Sequence, residues 1–272
     1  MNGLADPARP NPAQYVALGS SFAAGIGLGP RPPDSPRACR RSVDSYPQHL
    51  ARLCGLSIVD MTCSGATTAH VLDGGRARQG PQIDGITQAT ELVTLTAGGN
   101  DVHYVGDLIM LSLRARSRVA RALMRAFWNG PSPVAERDFA ALHRNLRAIV
   151  DEARRRAPRA RIVLVSYPQI VPSVGTCAAL GLGADEAALM RDVGQALDAV
   201  TREAAQASGA LLVDMGPPSA AHAVGSAQPW VSGATRLRDA PFHPTREGTL
   251  ATALQVAASL GLASTVQGRR NA

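Results

Sequence analysis

Short apolar runs alternate with longer stretches of helical periodicity along this chain. That alternation restricts it to repeated strand–helix units and a parallel sheet. Five runs read as strands, at residues 14–19 (QYVALG), 57–61 (SIVDM), 92–97 (LVTLTA), 161–166 (RIVLVS) and 210–215 (ALLVDM). Helical patterns lie at about 44–54, 107–127, 134–157, 185–207 and 246–260, the last opening on Pro244 and Thr245, a suitable helix-starting pair. No internal repeat or low-complexity linker divides the 272 residues. Pro- and Gly-rich stretches at 29–36, 129–133 and 216–233 therefore read as loops inside one domain, expected over 14–264 between tails at 1–13 and 265–272.

At 45% hydrophobic residues the chain can bury a substantial core. No stretch approaches the roughly 20 apolar residues a membrane-spanning helix needs, and the start, MNGLADPARPNPAQ, has no apolar core of the signal-peptide type. The formal charge is +7, but all 28 basic residues are Arg, which reads as genome base composition rather than selection for phosphate. No nucleic-acid module or aromatic-basic interleaving accompanies the charge, so no nucleic-acid partner is expected. Cys39, Cys54, Cys63 and Cys177 form no C-x-x-C pair and are too few for a disulfide scaffold. Buried thiols are their plain reading.

Open parallel sheets bind ligands beyond the carboxyl ends of their strands, near the point where strand order reverses. Three unusual segments follow the first three runs: GSSFAAG, TCSGATT and AGGND. A fourth, DAPFHP, precedes the final helix. Gly19-Ser20-Ser21-Phe22-Ala23 resembles a G-x-S-x-G nucleophile elbow with Ala in the last place, although either serine also suits a helix N-cap. In AGGND, the Asn100 amide offers two uncharged donors, as stabilisation of a developing oxyanion requires; a simple turn is the alternative. His243 lies in a loop with Asp239 four residues before it, the elements of a base held in one tautomer by a second acceptor. His49 and His143 fall within helical patterns, and His70, His103 and His222 near loops, where ordinary histidines are expected. GIGLGP at 25–30 fails as a dinucleotide fingerprint because position 30 is Pro. An α/β-hydrolase is disfavoured because its elbow follows several strands, whereas Ser21 follows the first.

In this order the four segments resemble the SGNH hydrolases, the GDSL esterase and lipase family, and the match covers most of the chain. The resemblance implies a three-layer α/β/α flavodoxin-like fold with a five-stranded parallel sheet. It places Ser21 on the nucleophile and His243 on the base. The oxyanion would be held by the Ser21 and Gly65 N–H groups and the Asn100 amide. It implies carboxylic ester hydrolysis through an acyl-enzyme, with no metal or cofactor. Two departures stand out. Ser20 occupies the place where the family usually has Asp, and is expected to serve loop geometry. Three residues, rather than two, separate Asp239 from His243, so either Asp239 or a backbone carbonyl, that of Ala240, would orient the ring.

CRRSVDSYPQHLA, MTCSGATT, GPQIDGIT and LVTLTAGGNDV are similar to the secreted actinobacterial-type lipases and esterases of the family. That likeness implies a Cys39–Cys63 disulfide and export; a monomer is expected. It also leaves Cys177 a thiol, because its partner position near 226 holds Ser226. The substrate class spans lipid and other carboxylic esters, with a carbohydrate O-deacetylase or a non-catalytic binding protein as alternatives. An amphipathic pattern with five Arg at 107–128 suggests a peripheral lipid-interface contact or, more plainly, a helix packed on the sheet.

Overall fold

The computed structural model describes residues 14–235 and 240–262. In chain order the strands are β1 (Gln14–Gly19), β2 (Ser57–Asp60), β3 (Thr90–Thr96), β4 (Arg161–Val165) and β5 (Leu211–Val213). The α-helices are α1 (Ser21–Ala24), α2 (Tyr46–Cys54), α3 (Thr68–Asp73), α4 (Tyr104–Arg116), α5 (Arg118–Met124), α6 (Phe139–Arg156), α7 (Ala184–Ser208), α8 (Gly216–Ser219) and α9 (Arg246–Ser259). All strand pairs are parallel, in the order β2-β1-β3-β4-β5. This is the flavodoxin-like order, whose reversal falls between β1 and β3.

Side-chain alternation along the strands makes the sheet apolar on both faces. Val16, Leu18, Val93, Leu95, Ile162 and Leu164 join a core with Leu108 and Leu111 of α4, Leu146 and Ile149 of α6 and Val193 and Leu197 of α7. Tyr15, Ala17, Val163, Val165 and Val213 meet Leu50 and Ala51 of α2 and Ala253 and Val256 of α9 on the opposite face. The result is a three-layer α/β/α sandwich.

The expected helix over 107–127 is two helices. Ser117 adopts an extended conformation (φ −132°, ψ 118°), and its hydroxyl accepts the Ala120 N–H at 3.1 Å, so local capping restarts the chain as α5. The division separates burial as well: Leu108 and Leu111 of α4 are fully buried, whereas Val119 and Leu123 of α5 and Phe127 beyond it are exposed. The pattern expected over 134–157 begins as a single 3₁₀ turn at Val134–Glu136 and becomes α-helical only at Phe139, where the Asp138 carboxylate accepts the Ala141 N–H at 2.7 Å. As expected, Thr245 caps α9, accepting from Gly248 N–H at 3.1 Å. Among the described residues no helix is long and apolar enough to cross a membrane.

Candidate active site

β1 continues past its end by handing its backbone to both neighbours: Ser20 N–H donates to the Thr96 carbonyl (2.9 Å), and the Gly19 carbonyl accepts from Cys63 N–H (3.0 Å). Gly19 has φ +136°, and a Cβ there would collide with the Thr96 carbonyl, so only glycine lets the strand turn at this point. The Gln82 side chain completes the clamp. Its carbonyl accepts the Gly19 N–H (2.7 Å) and its amide donates to the Gly19 carbonyl (3.1 Å). This buried glutamine escaped the sequence reading because its partner lies 63 positions away; an uncharged amide inside an otherwise ordinary turn was the available signal.

Ser20 occupies the N-cap position of α1 without capping it. Its hydroxyl instead pairs with the Tyr167 hydroxyl (3.2 Å), which accepts the Gly99 N–H (3.1 Å). The serine that stands in the family's Asp position thus links the loop after β1 to the loop after β3.

Ser21, the first residue of α1, has its Oγ 2.8 Å from His243 Nε2. The other ring nitrogen, Nδ1, lies 2.9 Å from the Pro241 carbonyl. A carbonyl can only accept, so Nδ1 carries the proton and the Nε2 lone pair faces the serine hydroxyl. Asp239, one of the two expected orienting groups, lies outside the described residues. The other, the Ala240 carbonyl, does not reach the ring but accepts from the Ser232 hydroxyl at 3.1 Å. The reason is local: Ala240 (φ 50°) and Phe242 (φ 58°) are both left-handed, and this double turn presents the carbonyl between them to the imidazole. Ser232 N–H also donates to the His243 carbonyl (2.9 Å), and Val231 bridges Pro244, which hold the loop in place. Burial, above all, pushes the His243 pKa down to about 4, with the positive charge of Arg40 adding to it and the Pro241 hydrogen bond opposing it. The ring is therefore neutral at ordinary pH and able to accept a proton.

Gly65 and Asn100 lie in the loops after β2 and β3. Asn100 Nδ2 donates to the Ala66 carbonyl (2.8 Å), which leaves its second amide hydrogen for a ligand. Neither the Gly65 nor the Ser21 N–H meets an acceptor among the described residues. Asp101 secures the same pair of loops by accepting from the Thr68 N–H (3.0 Å) at the start of α3. Cys39 and Cys63 form a disulfide, and Ser64 N–H donates to the Cys39 carbonyl (3.0 Å), so the loop carrying Gly65 is tied to the segment before α2. Cys54 and Cys177 lie outside the disulfide.

Four loops thus bring a serine, a neutral imidazole and unfilled N–H donors to the strand-reversal edge of the sheet. The GDSL-like Lipase/Acylhydrolase family description matches residues 17–251, nearly the whole described chain. The chain belongs to this family. It is 30% identical over 239 residues to a lipase of Streptomyces rimosus, covering 86% of this chain and 81% of that protein. It is also 30% identical over 226 residues to Lipase 2 of Streptomyces coelicolor, covering 80% and 75%. Among solved structures, the extracellular lipase of S. rimosus superposes with a TM-score of 0.72 at 29% identity, covering 91% of this chain and 99% of that one. Phospholipase A1 of Streptomyces albidoflavus NA297 gives 0.71 at 28% identity, covering 91% and 98%. This member of the GDSL-like family is a carboxylic ester hydrolase, and lipid or other small-molecule esters are its substrate class.

Proposed function

We propose that ester cleavage runs through an acyl-enzyme on Ser21 with His243 as the base and no carboxylate partner. The observation that carries this reading is the pairing of Ser21 Oγ with Nε2 at 2.8 Å while Nδ1 is held by the Pro241 carbonyl at 2.9 Å. Ser21 attacks the ester carbonyl as Nε2 takes its proton. The oxyanion is held by the Ser21 and Gly65 N–H groups and the second Asn100 amide hydrogen. His243 returns the proton to the leaving alcohol, and water repeats the cycle on the acyl-enzyme.

The test is hydrolysis of p-nitrophenyl esters from acetate to palmitate. Ser21→Ala should lose at least about 10⁴-fold in kcat, the scale of nucleophile removal in serine hydrolases. Ser20→Ala, which removes a loop contact only, should keep most of its activity. The reverse pattern would assign the wrong serine, and the chain-length optimum reports whether the site prefers short or long acyl groups.

The substrates we favour are esters presented at an anionic lipid surface, approached through the α5 end of residues 107–128. Val119, Leu123 and Phe127, four residues apart, are 70%, 62% and 71% exposed, and Arg118, Arg121 and Arg125 stand exposed beside them. An apolar crest flanked by guanidinium groups suits the boundary between acyl chains and anionic headgroups. Vesicle co-sedimentation checks it: anionic vesicles should retain the protein better than zwitterionic ones, and Leu123→Ser with Phe127→Ser should abolish retention. Equal retention of parent and variant would remove this surface from the reading.

A further inference from the structure

Arg76, on a one-turn 3₁₀ helix at Arg76–Arg78, donates from Nε to the Ser64 carbonyl oxygen at 2.8 Å. The Ser64 carbonyl and the Gly65 N–H belong to one peptide unit. In a planar trans peptide the N–H points away from the C=O, so a bond that fixes the oxygen also fixes the direction of the hydrogen. A charged donor on the oxygen further polarises the group and strengthens the N–H as a donor. The guanidinium also lies against Gly65 itself: a Cβ at that position, where φ is +80°, would fall 2.7 Å from Arg76 Cζ and 2.8 Å from Nε.

From this juxtaposition we infer that Arg76 is a positioning residue that aims and activates the Gly65 N–H as an oxyanion donor. The inference rests on the proposed role of Gly65 in ester cleavage. The Ser21 donor has a matching arrangement, because its own peptide carbonyl, Ser20 O, accepts from Ala23 N–H (3.1 Å) and Ala24 N–H (2.9 Å). Each of the two donor peptides is thus anchored from behind, one by the first turn of α1 and the other by a guanidinium. Loop integrity does not demand the arginine side chain, since Gly75 N–H closes the turn onto the Gln79 carbonyl at 2.8 Å. Among the described residues the Arg76 guanidinium makes no ion pair that would give it a different task.

The experiment compares Arg76→Ala, Arg76→Lys and Asn100→Ala with the parent enzyme on an uncharged short-chain p-nitrophenyl ester. Full loss of an oxyanion donor costs about 10²–10³-fold in kcat, so loss of its anchor should cost on the order of 10- to 100-fold with KM nearly unchanged. The melting temperature of Arg76→Ala should match the parent. Arg76→Lys should recover part of kcat, and millimolar guanidinium should partly rescue Arg76→Ala. Parent-like kcat in Arg76→Ala, with Asn100→Ala impaired, overturns the role of Arg76 and leaves the catalytic assignment intact. A change in KM alone overturns it too, because Arg76 would then contact substrate. Parent-like kcat in Asn100→Ala as well overturns the oxyanion assignment and the inference with it.

Discussion

Two left-handed residues decide which group meets Nδ1 of His243. Ala240 and Phe242 place Pro241 so that its carbonyl, a fixed neutral acceptor, faces Nδ1. Asp239→Asn should therefore leave kcat within a few-fold of the parent, whereas losing the Asp of a true triad costs about 10⁴-fold. A large loss on p-nitrophenyl esters with an intact fold would restore Asp239 as the orienting group. As the proposed base, His243 is expected to set the pH profile. Burial and the Arg40 charge lower the His243 pKa from 6.5 to about 4, so kcat/KM should fall on the acid side through about pH 4 rather than near 6.5. A pH–rate profile on a substrate stable in acid checks this directly. At this scale sequence reading named Ser21, His243, Gly65 and Asn100, whose loops the fold brings to one edge of the sheet, but not the Pro241 acceptor, because nothing in DAPFHP announces positive φ at an alanine and a phenylalanine.

At the scale of elements, the site depends on loops that the sheet alone leaves slack. The Cys39–Cys63 disulfide spans 24 positions and holds the segment before α2 against the loop carrying Gly65. The paired substitution Cys39→Ala with Cys63→Ala should cost about 3 kcal/mol in denaturant unfolding, the scale expected for a cross-link of this length. It should also lower kcat, because Cys63 N–H and the Cys39 carbonyl both support loops of the site. Unchanged stability would mean that backbone bonds suffice. Strand positions were legible because β-branched and leucine-rich runs must be buried in a parallel sheet. The break at Ser117 and the start at Asp138 were not, because whether a polar side chain caps or continues a helix depends on a single hydrogen bond.

Across the whole molecule, the buried neutral imidazole links function to stability. His243 is uncharged when folded down to about pH 4 and titrates near 6.5 when unfolded, so the unfolded chain binds more protons between those values. Its contribution is complete above pH 6.5 and is lost as the pH falls to about 4, on the order of 3 kcal/mol at most. Comparing the pH dependence of unfolding for the parent and His243→Gln isolates it: the variant should lose less stability over that window, and parallel curves would contradict the burial effect.

The order of apolar runs and the four chemical segments, each local in the chain, determined from sequence that this is a parallel α/β hydrolase and singled out the segments that carry Ser21 and His243. Only the tertiary structure decided what touches what. The Pro241 carbonyl on the ring, Gln82 on Gly19, Tyr167 between Ser20 and Gly99, and Arg76 behind Gly65 are contacts set by backbone dihedrals and by pairs of residues far apart in the chain. Periodicity and spacing carry no record of such contacts.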